Sequence, residues 1–125
     1  TYAIDIKTGL IKWSKPIYST NRFVITDKYL ISPWKNRLYI INKSNGKIVF
    51  NNNISKLKKN NKIFYKDLLV GDNWIYIFDE KGHKISLDKK NFKRQLNKKI
   101  AKNYENFIIY NNNLYINTKN SLIKY

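Results

Sequence analysis

The feature that most limits what this chain can fold into is a regular alternation of short apolar segments with clusters of turn-forming residues. The apolar segments are rich in Ile, Val, Tyr, Phe and Leu, as β-strands are. Asn, Asp and Gly are frequent in the clusters between them, and these residues tolerate the left-handed backbone that tight hairpin turns require. The predicted strands are Tyr2–Asp5, Leu10–Trp13, Phe23–Thr26, Tyr29–Ser32, Arg37–Asn42, Lys47–Asn51, Leu68–Val70, Trp74–Phe78, Lys84–Asp88, Phe92–Leu96, Phe107–Tyr110, Leu114–Asn117 and Ser121–Tyr125. One segment also favours a helix, because Phe92, Leu96 and Ile100 recur at intervals of four.

The predicted strands repeat in groups of four. One group reads "RFVIT", "KYLIS", "RLYIIN" and "KIVFN", and the next reads "DLLV", "WIYIF", "KISLD" and "FKRQL". Aligning the ends of the third strands places Asp5, Asn42, Asp88 and Tyr125 in register, at intervals of 37, 46 and 37 residues. A period near 40 with four strands per unit predicts the blades of a β-propeller. The predicted units are a half blade at 1–15, blades at 22–54 and 66–100, and an incomplete final blade at 106–125.

The stretch "AIDIKTGLIKW" is the clearest copy of a motif that recurs in this repeat. Asp5 ends a third strand and can accept hydrogen bonds from the following turn, where Gly9 can adopt a positive φ. Trp13 follows on the fourth strand as a large apolar side chain. We therefore expect the motif to pack one blade against the next. Its residues are Ala3, Asp5, Thr8, Gly9 and Trp13 in the first copy, Asn42, Gly46 and Phe50 in the second, and Asp88 and Leu96 in the third.

This pattern, A-x-D-x-x-T-G-x-x-x-W, resembles the tryptophan-docking repeat of β-propellers of the pyrroloquinoline quinone (PQQ) type. That superfamily includes both quinoprotein dehydrogenases and non-catalytic scaffolds. Within it, "LLVGDNWIYIFDEKGHKISLD" and the terminal "IIYNNNLYINTKNSLIKY" are most similar to the C-terminal blades of the outer-membrane assembly propeller lipoproteins, the B subunits of the β-barrel assembly machinery. The resemblance implies an all-β propeller of four-stranded antiparallel blades, of which about three are present here.

Propellers usually contain four to eight blades, which is more than this chain supplies. We therefore expect the chain to be the C-terminal part of a longer propeller, with Thr1 an internal residue and Tyr125 the natural C-terminus. The final predicted blade has three strands. In propellers of the family that the chain resembles, the N-terminal segment supplies the missing fourth strand and closes the ring.

The chemically reactive side chains are few and scattered. Cysteine is absent, which excludes thiolate metal ligands and the vicinal cysteine pair found in many quinoprotein dehydrogenases. Most of the 8 acidic residues fall at predicted turns, where Asp is common for structural reasons. His83, the single histidine, follows Gly82 and is expected to be an exposed turn residue. The sequence thus favours a protein that is not an enzyme, with no catalytic residues, cofactor or metal.

The chain carries a formal net charge of +17, which favours anionic partners. A second explanation is codon bias, because Lys, Asn and Ile make up 60 of the 125 residues. Only 3 of the 25 basic residues are Arg, the side chain best suited to bidentate phosphate recognition. Both explanations remain open on the sequence alone.

Two predicted loops are candidates for binding a partner, because loops on a rigid scaffold commonly carry binding function. The first is "PWKN", in which Trp34 is either an aromatic anchor or a packed loop residue. The second is the basic stretch "KLKKNNK", which lengthens one repeat from 37 to 46 residues. A further basic stretch, "KKNFKRQLNKK", covers residues 89–99. The candidate residues are Pro33, Trp34, Lys35, Lys56, Lys58, Lys59 and Lys62.

The resemblance implies a non-catalytic scaffold for protein interactions at the periplasmic face of the outer membrane, where it assists assembly of β-barrel proteins. It implies a protein partner, the barrel subunit of the assembly machinery, and membrane association through a lipid upstream of this chain. No small-molecule substrate is expected. Two alternatives stay open, namely the structural part of a PQQ-dependent dehydrogenase and a propeller that binds nucleic acid or another polyanion.

Overall fold

The computed structural model of the chain describes residues 1–19, 22–53, 65–100, 104–111 and 113–124. All helix and strand assignments in these ranges are β-strand, and each of the thirteen strands overlaps one predicted from the sequence. The alternative of a helix near Phe92 is wrong, because Arg94–Lys99 is a strand paired with the one before it. Within the same ranges, no helix is long and apolar enough to cross a membrane.

The first of two compact units is Thr1–Ile63, and its described residues form two antiparallel sheets. The smaller sheet pairs β1 (Tyr2–Ile4) with β2 (Ile11–Ser14). The larger sheet has four strands in chain order, β3 (Val24–Ile25), β4 (Tyr29–Trp34), β5 (Arg37–Asn42) and β6 (Ile48–Asn53). Each strand pairs with the next along the chain, so the smaller sheet is a β-hairpin and the larger sheet is a four-stranded meander.

The second compact unit is Phe64–Tyr125, and its described residues also form two antiparallel meanders. The first has four strands, β7 (Tyr65–Val70), β8 (Trp74–Asp79), β9 (His83–Asp88) and β10 (Arg94–Lys99). The other has three strands, β11 (Tyr104–Tyr110), β12 (Asn113–Thr118) and β13 (Leu122–Lys124).

The inner strands of the first four-stranded sheet are buried on both faces. Four consecutive residues are buried in each of β4 and β5, whereas β6 at the sheet edge is mostly exposed. This explains why the inner segments read as continuous apolar runs and not as alternating ones. The core cluster of this unit contains Ile17, Leu30, Tyr39 and Ile41, with Trp13 and Trp34 partly buried against it.

The core of the second unit is built around stacked aromatic rings. Phe78 of β8 is fully buried and stacks on Phe107 of β11, with ring centroids 3.6 Å apart and planes inclined by 16°. The ring of Tyr104 lies 4.1 Å from that of Phe107, centroid to centroid. The two sheets of this unit therefore pack face to face through aromatic side chains. The buried cluster is completed by Ile100, Leu114 and Ile116.

The segment 33–36 was predicted to be a turn, but β4 continues through Pro33 and Trp34. Pro33 is buried and lies opposite Leu38 of β5. Its carbonyl oxygen accepts a hydrogen bond from the hydroxyl group of Ser19, which is outside β5. Because the N–H and C=O groups of one strand residue point to the same side, the proline nitrogen also faces away from β5. Its missing N–H therefore costs no bond in the β4–β5 ladder.

Candidate functional site

Three turns of the chain share one backbone geometry, and they begin at the ends of equivalent strands. In each turn, the N–H of the first residue donates to the carbonyl five positions later. The N–H four positions later donates back to the carbonyl of the first residue, and all six distances are 2.8 or 2.9 Å. The first residues are Asp5, Asn42 and Asp88. Asp5, Asn42 and Asp88, which the sequence repeat places in register, thus each begin a turn of the same geometry.

Side-chain oxygens satisfy further N–H groups in each turn. Oδ1 of the first residue accepts the N–H two positions later, at 2.9 Å for Asp5, 2.9 Å for Asn42 and 2.6 Å for Asp88. Each turn has a second capping side chain, three positions after its first residue. A side-chain oxygen of this residue accepts a hydrogen bond from the backbone N–H two positions further along the chain. The capping residues are Thr8, Asn45 and Asn91. Asn45 and Asn91 were not among the predicted motif residues, although both stand at the spacing of Thr8 and are of a residue type that caps turns.

The position four residues into each turn has a positive φ. It is 71° at Gly9, 72° at Gly46 and 57° at Phe92. The third copy therefore keeps the turn without the glycine, with a phenylalanine in a backbone region that non-glycine residues rarely adopt. Replacement of glycine by phenylalanine in that copy therefore leaves the backbone conformation of the turn unchanged.

Trp13 of β2 packs directly on the second turn. Its indole Nε1–H donates a hydrogen bond of 2.8 Å to the carbonyl oxygen of Lys43. Gly46 is buried beneath the indole, and a Cβ atom added at Gly46 would lie 2.7–2.9 Å from Cβ, Cγ and Cδ2 of Trp13. Glycine is therefore required at this position for its small size as well as for its φ. The structure brings together the tryptophan of the first motif copy and the glycine of the second.

The remaining motif residues lie on strands of their own sheets. Ala3 of β1 is the direct cross-strand partner of Trp13, and both are partly buried. Phe50 of β6 lies opposite Ile40 and is also partly buried. Leu96 lies on β10, but its side chain is outside the part of the chain that the structure describes.

Asp5 also forms an ion pair on the exposed side of the first turn. Its Oδ2 lies 2.9 Å from Nζ of Lys12, and its Oδ1 accepts the N–H groups of Lys7 and Thr8. The hydrogen bond from Lys12, followed by the two backbone N–H groups, lowers the pKa of the Asp5 carboxyl below its usual value of 3.8. All of these contacts favour the ionised carboxylate.

We expect an NMR titration of the Asp5 carboxyl to show a midpoint below 3.8. Replacing Lys12 by Gln should move the midpoint up toward 3.8, because it removes the strongest of the lowering interactions. The contribution of Asp5 to stability should be present above the unfolded-state pKa and be lost as the pH falls through the folded-state pKa. Lys7→Gln is the control, since Lys7 acts only through its backbone N–H. A midpoint that is the same in the Lys12 and Lys7 variants would refute this assignment.

The predicted partner-binding residues are only in part exposed. Pro33 is buried, and Trp34 is partly buried with its ring centroid 5.9 Å from that of Tyr39 and 6.1 Å from that of Tyr18. Lys35 is exposed, and its Nζ lies 4.8 Å from the centroid of the Trp34 ring. Of the basic loop candidates, Lys56, Lys58, Lys59 and Lys62 lie outside the described residues.

His83 is not the exposed turn residue expected from the sequence. It is the first residue of β9, its side chain is 16% exposed, and its Nδ1 lies 2.8 Å from Oδ2 of the buried Asp79. Oδ1 of Asp79 also accepts the N–H groups of Lys81 and His83, which closes the turn between β8 and β9. The hydroxyl of Tyr104 donates to the Asp79 carbonyl at 2.8 Å. The described residues hold no group of three or more acidic or histidine side chains suited to a metal ion.

The four-stranded sheets and the docking of Trp13 on the second turn define a class of protein. Repeated antiparallel meanders of four strands, with a tryptophan of one sheet docked on a turn of the next, are parts of an all-β propeller with four-stranded blades. The predicted fold class is thereby confirmed. A scan of protein families finds no match to the chain, and a search of curated proteins finds none either.

A search of solved structures finds the crystal structure of BamB from Moraxella catarrhalis. The TM-score is 0.74 at 14% sequence identity, over 98% of this chain and 36% of the BamB chain. The likeness is therefore one of fold, and this chain spans about a third of the length of that protein.

Proposed function

We propose that this chain is the C-terminal part of a non-catalytic propeller scaffold that binds proteins during β-barrel assembly at the periplasmic face of the outer membrane. The observation that carries the proposal is the agreement with the BamB fold over 98% of the chain. The docking motif and the terminal strand pattern, which resemble the assembly lipoproteins, support it from the sequence side.

In this proposal, the chain supplies a half blade at 1–15, blades at 22–54 and 66–100, and an incomplete final blade at 106–125. The partner is the barrel subunit of the assembly machinery. The scaffold holds no cofactor and turns over no small molecule, and a lipid upstream of this chain anchors it.

The turn that follows β4 is the part of the candidate surface on which the proposal can be tested most sharply. Trp34 also packs in the core cluster, so its removal would confuse binding with stability. Lys35 is exposed at the tip of the turn and touches the same indole ring. A change at Lys35 therefore alters the outer surface of the aromatic anchor with little change in the core.

We expect Lys35→Glu to weaken binding of the purified barrel subunit to the immobilised chain at least about fivefold, mainly through the association rate, because charges at an interface rim steer encounter. Surface plasmon resonance at fixed ionic strength measures both rate constants. Lys119→Glu is the matched control, since Lys119 is also exposed in a turn between paired strands. Absence of binding by the wild-type chain would overturn the proposed function, and equal losses in both variants would overturn the assignment to this turn.

A further inference from the structure

A small cleft opens at one end of the four-stranded sheet of the second unit. It has a volume of about 300 Å³ and is lined by Asn73, Trp74, Asp88 and Lys90. Trp74 begins β8 and lies directly opposite Asp88, which ends β9. Binding sites for small ligands start at about this volume.

The walls of the cleft are held in place by Lys89. Its backbone N–H donates to the carbonyl of Asn73 at 2.9 Å, and its Nζ donates to the carbonyl of Gly71 at 3.0 Å. One residue thus ties the turn after β9 to the connection between β7 and β8. Because the turn after β9 is also closed by the Asp88 side chain, the cleft is formed before any ligand arrives.

The lining residues offer hydrogen-bonding groups that have no partner among the described residues. These groups are the indole N–H of Trp74, the ammonium of Lys90, the side-chain amide of Asn73 and the Oδ2 atom of Asp88. The first two donate, Oδ2 accepts, and the amide does both. Among the four lining residues, Lys90 contributes one positive charge and Asp88 one negative charge. Together these residues therefore carry no net charge that would favour an anion or a cation.

The backbone at the cleft leaves no room for a peptide to add as a strand. Both β8 and β9 are inner strands, and each already pairs with a neighbour on both sides. Recognition at this place therefore relies on side chains. A hydroxyl group both donates and accepts, and a sugar ring has an apolar face of C–H groups that can pack on an indole ring.

We propose that the cleft formed by Asn73, Trp74, Asp88 and Lys90 binds a neutral sugar unit of a carbohydrate. The indole of Trp74 packs on the apolar face of the ring. Oδ2 of Asp88 accepts a hydrogen bond from one hydroxyl group of the sugar. The Lys90 ammonium and the Asn73 amide form hydrogen bonds with the neighbouring hydroxyl groups. This site is independent of the scaffold function, since it uses other residues than the turn after β4.

Saturation-transfer difference NMR on the full chain tests the proposal, with cellotriose and maltotriose as neutral probes. At least one of the two should receive saturation from the wild-type chain. Asp88→Asn replaces the acceptor Oδ2 by an amide donor, and we expect it to weaken binding at least about tenfold. The variant should fold, because Asn42 forms the same turn with its Oδ1.

The controls separate the cleft from general effects. Asp5→Asn makes the same chemical change in the equivalent turn of the first unit and should leave binding unchanged. Trp74→Tyr, which copies Tyr29 at the equivalent strand position, should weaken binding several-fold through loss of ring area and of the indole donor. The proposal is overturned if neither trisaccharide binds, if folded Asp88→Asn binds as the wild type does, or if only an anionic oligosaccharide such as hexaglucuronate binds.

Discussion

Phe78→Ala is expected to lower the free energy of unfolding by about 3–5 kcal/mol, as truncation of a fully buried phenylalanine usually does. The side chain of Phe78 is 0% exposed and stacks on Phe107 of the adjacent sheet, so alanine removes apolar surface and leaves a cavity between the two sheets. Such a loss is a large part of the stability of an ordinary domain. Urea denaturation followed by circular dichroism measures it.

Phe23→Ala is the matched control for this prediction, because the Phe23 side chain is 55% exposed. It should change stability by no more than about 0.5 kcal/mol. A double-mutant cycle with Phe78→Leu and Phe107→Leu should give a coupling of about 0.5–1.5 kcal/mol from the ring stack. Equal costs for Phe78→Ala and Phe23→Ala would show that the stacked rings do not hold the two sheets together.

Gly46→Ala should be the most damaging small substitution in the first unit. The backbone at Gly46 has a φ of 72°, which costs an alanine about 1–2 kcal/mol. The added Cβ would also lie 2.7–2.9 Å from three atoms of Trp13, so the indole must move and give up packing worth about 1–3 kcal/mol. The displaced indole would also lose its hydrogen bond to Lys43. Chemical denaturation compares this variant with the wild type.

Gly9→Ala separates the two causes, because Gly9 has a φ of 71° but no atom within 4 Å of an added Cβ. It should cost only the backbone share, about 1–2 kcal/mol. In a Trp13→Ala background, Gly46→Ala should cost no more than Gly9→Ala does. If Gly46→Ala and Gly9→Ala are equally costly in the wild-type background, the docking of Trp13 on the second turn contributes nothing to stability.

The repeated turn shows how far local reasoning reaches in this chain. The spacing of Asp5, Gly9 and Trp13 predicted a strand end, a positive φ and a projecting aromatic side chain. In the structure Asp5 directly follows the last residue of β1, Gly9 has a φ of 71°, and Trp13 lies on β2. The third copy shows the limit of the same reasoning. Phe92 adopts the turn conformation without glycine, because the capping bonds of Asp88 and Asn91 and the flanking strand ladder hold it there.

The errors at Trp34 and His83 have one physical origin. Both residues stand beside turn-forming neighbours, so composition indicated a loop position for Trp34 and an exposed turn position for His83. Trp34 instead ends β4, where it pairs with Arg37, and the rings of Tyr18 and Tyr39 lie against its indole. His83 is held by the buried carboxylate of Asp79. Local spacing does not reveal that the Trp34 and His83 side chains are covered, since burial depends on which elements come to lie above the residue.

Strand and turn propensities act over a few neighbouring residues, so the all-β class and the approximate positions of the thirteen strands in the described ranges could be predicted from local sequence. The four-stranded grouping of two of the sheets could be predicted in the same way. The contact of Trp13 with Gly46, the stacking of Phe78 on Phe107 and the cleft lined by four polar and aromatic side chains beside β8 became apparent from the three-dimensional structure. These contacts join residues about 15 to 33 positions apart in the chain. The first two depend on how neighbouring sheets pack against each other, and the cleft depends on the register in which β8 and β9 pair.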